Sequence, residues 1–96
     1  MQIRGSNPQI TNLVLVSSEQ EYQHQFSKHV KKFLVQARDF KDVVFAFKEG
    51  ETSTNYVSLV SGSPYYEDLV IGPFTIYLKP LEDNTVVEII EWETRD

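Results

Sequence analysis

One stretch constrains the fold more than any other. Residues 18–40 contain neither Gly nor Pro, and within them Tyr22, Phe26, Val30, Phe33, Leu34 and Ala37 recur mostly three or four residues apart. At about 100° per residue these six side chains fall in a sector of roughly 120°, the apolar stripe of a helix lying on a core. Ser18 and Glu21 have capping-box spacing, and Glu19 adds negative charge near the positive helix end. Lys31, Lys32 and Arg38 lie toward the other end, where the helix dipole favours cations. The pattern predicts one long amphipathic helix of about 30 Å.

Elsewhere the period is two. Residues 10–16 read as a strand, with apolar residues on both faces. Val43, Phe45 and Phe47 alternate with Val44, Ala46 and Lys48, and residues 55–60 read as the returning strand of a hairpin. The turn at residues 48–51 holds Gly50, free to take a positive φ. Ser63 and Pro64 have N-cap and first-turn character, so residues 63–68 read as one short helical turn. Phe74, Ile76 and Leu78 face one way in a strand ending near Lys79, and residues 85–94 form the last strand. The expected fold is therefore α+β: a single domain over residues 1–96, with an irregular lead-in at 1–8. One helix packs on a four- to five-stranded, mostly antiparallel sheet in the order β-α-β-β-β-β. That order resembles the cystatin-type arrangement of a sheet wrapped on one helix. The glutamine-valine-glycine hairpin of that family is absent at residues 48–51, so none of its functional residues is carried over.

Charge excludes more than it assigns. The net charge of −5 disfavours binding to a phosphate backbone, so nucleic acid is not an expected partner. The charge is unevenly spread. Residues 1–48 carry seven Lys/Arg and four Asp/Glu, a net of +3; residues 49–96 carry two and ten, a net of −8. The absence of cysteine rules out disulfides and thiolate chemistry and suggests a reducing, cytoplasmic setting. No apolar run approaches the length of a membrane span, so no membrane partner is expected.

Four groups are candidate sites. His24 and His29, five apart, would diverge by about 140° on a helix and share no metal; no metal and no cofactor is expected. Lys28, Lys31, Val35 and Arg38 would form a basic ridge on the outer helix face, a second-choice partner surface. Glu88, Glu91 and Glu93 crowd the last strand, where charge protects an exposed edge. Tyr65, Tyr66, Glu67 and Asp68, in the loop spanning residues 61–68, are the leading partner-binding set, because tyrosine offers wide contact at low entropy cost.

With no nucleophile–base or phosphate-cradle motif, the expected function is non-enzymatic. The chain reads as a protein-interaction or regulatory module: an inhibitor, immunity-type protein, chaperone or small complex subunit. Its partner is another protein, with a homodimer through an edge strand as a further arrangement. The alternatives are a small metal-independent ribonuclease of toxin type using Lys79, Tyr77, Arg95 or His29, and a homodimeric domain binding a small molecule.

Overall fold

Side-chain alternation, not a helical repeat, governs the structure. The computed structural model describes residues 7–60, 63–68 and 73–93, and the described residues contain eight strands and no helix. The strands are β1 (Asn7–Leu15), β2 (Tyr22–Gln25), β3 (Val30–Ala37), β4 (Val43–Ala46), β5 (Val57–Leu59), β6 (Tyr65–Glu67), β7 (Thr75–Pro80) and β8 (Thr85–Glu93). They form two four-stranded antiparallel sheets. Sheet A has the order β1-β8-β3-β6 and sheet B the order β2-β7-β4-β5. This is the eight-stranded jelly-roll plan, in which successive strands cross between sheets. Among neighbours in sequence, β4 and β5 alone pair with each other.

The inward faces meet in one apolar layer. Leu15, Phe26, Val30, Phe33, Val35, Val43, Phe45, Leu59, Ile76, Leu78, Val87 and Ile89 form a contiguous buried core drawn from both sheets. Phe26 stacks on Phe74 at 4.7 Å between ring centroids and lies 4.6 Å from Phe33. Apolar burial at this density drives the two sheets together.

The expected α+β fold is thus overturned, and with it the cystatin-type likeness, because residues 18–40 form two strands instead of a helix. The reason lies in residue type. Tyr22, Phe26, Val30, Phe33 and Val35 are aromatic or β-branched, mediocre in helices and favoured on a pleated surface. Phe33, Val35 and Ala37 alternate inward along β3, and Val35, expected to point away from the core, is 0% exposed. The strand is then held from both sides, by β8 and by β6.

The capping box is also replaced. The Ser18 N–H donates to Asp83 Oδ1 at 2.7 Å, while Glu21 accepts hydrogen bonds from the Gly50 N–H at 3.0 Å and Thr52 Oγ1 at 2.7 Å. Residues 63–68 form no helical turn; their centre is β6, an edge strand paired to β3. The last strand, taken as an edge that charge protects, is interior to sheet A between β1 and β3. The hairpin expected at Gly50 does form, with Gly50 at φ 81° and β4 pairing β5 from Val43↔Leu59 to Phe45↔Val57.

A tight turn links β3 to β4. Asp39 and Phe40 take φ of 62° and 58°, and the Lys41 N–H donates to the Arg38 carbonyl at 3.4 Å. Two successive left-handed residues suit Asn or Gly better than Phe, so Phe40 holds a costly conformation while almost fully exposed.

Candidate functional site

The register across sheet A dictates what its outer face displays. Ile10 pairs with Ile90, Ile90 with Leu34, and Leu34 with Tyr66, so one row of apolar side chains crosses all four strands. Its ends are open, with Ile10 71% and Tyr66 48% exposed. On one side runs the row Pro8, Trp92 and Lys32. There the Lys32 ammonium stands 5.0 Å from the Trp92 ring centre, and Tyr66 meets Trp92 edge-on at 6.4 Å. On the other side Asn12, Glu88 and Gln36 form a polar row. Gln36 Nε2 donates to Glu88 at 2.7 Å, Arg38 Nε donates to it at 2.9 Å, and Arg38 also reaches Asn12 Oδ1 at 3.2 Å. The Gln36 hydrogen bond, then that of Arg38 and its charge, hold the Glu88 carboxyl below its ordinary range. Beyond this brace lie Val14 and Val86.

The leading set, Tyr65 to Asp68, is split by the strand geometry. Tyr66 joins the outer face. Tyr65 turns inward, its ring 4.9 Å from Phe45 and 5.9 Å from Phe33, with its hydroxyl donating to Glu67 Oε1 at 2.8 Å. Burial, then the hydrogen bond and charge of Glu67, push the Tyr65 phenol up to about 12. Glu67 and Asp68 are exposed at the sheet edge. Ser61 and Gly62 of the same expected loop lie outside the described residues.

The second-choice set does not form a ridge. Lys28 occupies the β2–β3 turn, Lys31 is exposed on β3, Val35 is in the core, and Arg38 braces Glu88. The ribonuclease candidates do not converge either. Tyr77 and Lys79 share the outer face of β7, His29 lies exposed in the β2–β3 turn, and Arg95 lies outside the described residues.

His24 faces inward, paired with Ile76 of β7. Its Nε2 lies 3.0 Å from Glu91 Oε2, and the Ser27 N–H donates to the other Glu91 oxygen at 3.2 Å, joining β2 of one sheet to β8 of the other. Glu91 is 7% exposed. Glu91 borders an open cleft of about 520 Å³ near Gln9, Gln25 and Glu93. Among the described residues no three His, Asp or Glu side chains group as a metal site.

The apolar row was missed in the sequence because a helix at residues 18–40 hides Lys32, Leu34 and Gln36 as one strand face. A usable signal existed in β8, where Val86, Ile90 and Trp92 share a parity with Glu88 between the inward Val87, Ile89 and Glu91.

A de novo designed double-stranded beta-helix, solved by solution NMR, resembles this chain with a TM-score of 0.54 and 20% sequence identity. The match covers 91% of this chain and 99% of that one, and at such identity it speaks for the fold alone. No family model matches the sequence, and no curated protein does.

Proposed function

We propose that the protein is a non-enzymatic interaction module that docks another protein on the outer face of sheet A. An inhibitor, immunity-type protein, chaperone or small complex subunit is the kind of role this reading covers. The observation that carries the reading is the row Ile10–Ile90–Leu34–Tyr66, apolar across every strand of the sheet and open at both ends. Trp92 and Tyr66 beside it are residue types that dominate interface energetics, and a flanking polar rim excludes water from such anchors. Glu67 and Asp68 at the edge steer the encounter without contributing much affinity. The net charge of −5 supports a protein partner over a nucleic acid. Among the described residues no helix is long and apolar enough to cross a membrane; cytoplasmic residence belongs to the same reading and is supported by the cysteine-free sequence.

Photo-cross-linking in cells tests it. A photoreactive amino acid replacing Ile10 or Tyr66 is expected to give protein adducts, while one replacing Gln23 or Tyr77, on the outer face of sheet B, gives none. Adducts from neither position on sheet A, or equal adducts from both sheets, overturn the reading.

A further inference from the structure

Resting on that docking reading, we propose that the occupant of the face is a second copy of this chain. The two copies pack sheet A against sheet A about a two-fold axis running along the strands, between β8 and β3. Symmetry makes such an interface isologous, so the face must complement itself. This axis lays β8 of one copy over β3 of the other, and β1 over β6, and each cross-strand row meets the same row reversed. Ile90 then opposes Leu34 of the second copy, and Ile10 opposes its Tyr66. Trp92 opposes Lys32, a cation placed over a ring, as Lys32 already is within one chain. Glu88 opposes Gln36, the partner type it already accepts from.

The charges select this axis over its alternative. A two-fold axis lying across the strands would set each strand on itself with its rows inverted. Lys32 would then oppose Arg38 of the second copy, since the two lie at opposite ends of the same strand face. Like charges so juxtaposed in an interface cost affinity. Glu88 is the one carboxylate in the paired rows; Glu67 and Asp68 lie at the β6 edge, and Glu49, Glu51, Glu82 and Asp83 stand in the connections between strands. The strongly acidic second half therefore leaves the centre of the face with Glu88 as its carboxylate and sets Glu67 and Asp68 at the rim, over β1 of the second copy.

The size also fits. Four strands about 4.8 Å apart and four alternating rows about 6.8 Å apart cover roughly 500 Å² in projection. Two copies would bury on the order of 1,000 Å², the lower bound for a specific interface. A reversible, concentration-dependent dimer is the expected form.

Sedimentation equilibrium of the purified full chain across the micromolar range tests the proposal. The expected mass rises toward twice the 11.1 kDa chain. Ile10→Lys and Leu34→Lys should each weaken association about tenfold or more, with circular dichroism reporting an unchanged fold. A second measurement fixes the register. Packed sheets lie about 10 Å apart, beyond disulfide reach, so a bismaleimide of matching span is the probe, and a chain without cysteine gives no background. An Ile10→Cys chain mixed with a Tyr66→Cys chain should cross-link to each other, and neither to itself. Self-linking of the Ile10→Cys chain would overturn the proposed axis, in favour of the axis across the strands, which lays β1 on β1, or of pairing through the open β1 edges. A monomer at every concentration overturns self-docking. If photo-adducts to other proteins persist at Ile10, the docking face itself stands; if they vanish too, both ideas fall. A monomer that instead sediments with phosphatidylcholine–phosphatidylglycerol vesicles overturns it in favour of a lipid surface.

Discussion

The two outer faces of this sandwich are built on the same strand chemistry and finished differently. On sheet B the outward positions of β2 and β7 are Gln23, Gln25, Thr75, Tyr77 and Lys79. Its apolar outward residues on β4 are covered: Val44 is 8% exposed and Ala46 1%. The cover is the β4–β5 connection, residues 47–56, whose Thr52 and Tyr56 line a common cleft with Val44 and Lys79. Glu21 pins it through Gly50 and Thr52. Sheet A has no such flap among the described residues, and its apolar row stays bare. Contiguous open apolar surface is a feature that interaction sites use, and this contrast between the faces is what supports the docking proposed for sheet A.

The largest expected effects ignore this difference, because both sheets share one interior. Phe33→Ala on β3 and Phe45→Ala on β4 should each cost about 3–5 kcal/mol, a large part of a domain's stability. Chemical denaturation showing losses below about 1 kcal/mol for both would refute the shared core. Next comes the polar link between the sheets. Glu91→Ala strands the Ser27 N–H and His24 and should cost about 1–3 kcal/mol; a neutral result would mean the pair holds nothing.

The faces themselves separate at the next level. Lysine at Ile10 should change stability by no more than about 0.5 kcal/mol, while weakening docking about tenfold or more. A large loss of stability there would mean that the row is structural and not a surface held open.

Acid should act on the flap of sheet B. Burial opposes ionisation of Glu21, but the hydrogen bonds from Gly50 and Thr52, with the charge of Lys79, outweigh it and hold the carboxyl below its ordinary value. A depressed folded value means that the stabilisation is present above the unfolded pKa, about 4.3, and is lost as pH falls through the folded one. Hydrogen-exchange protection factors at Gly50 and Thr52 should therefore fall below about pH 4, and in Glu21→Gln they should already be low at neutral pH. Equal protection at neutral and acid pH would remove Glu21 as the pin.

The smallest effect contrasts two adjacent tyrosines on opposite faces of β6. With its phenol raised to about 12, Tyr65 contributes stability that is complete below its unfolded value near 10 and is lost as pH rises through about 12. Absorbance titration of Tyr65→Phe should lack a late-ionising phenolate that Tyr66→Phe retains. Glu67→Gln should bring that ionisation earlier.

Much of the strand inventory was legible in the residues. The alternation of Val43 with Phe45 and of Ile76 with Leu78 marks inward faces, and Gly50 marks the hairpin, because β4 and β5 pair locally and their turn chemistry lies between them. Of the outer apolar row, Tyr66 alone stood among the candidates read from the sequence. Its neighbours Ile10, Leu34 and Ile90 come from strands far apart in the chain, and no local window joins them.

By itself, then, the sequence determined which segments are apolar, that Val43 and Phe45, and Ile76 and Leu78, alternate with their neighbours, and where the chain turns at Gly50. Tertiary structure decided that Tyr22, Phe26, Val30 and Phe33 belong to strands. A spacing of three to four satisfies a helix stripe and, once broken by the turn at residues 26–29, satisfies two strands as well. Local hydrogen bonds alone would favour the helix. The choice falls to β3 pairing with β8 and β6, which satisfies the same backbone groups while burying Val35 as well as Phe33.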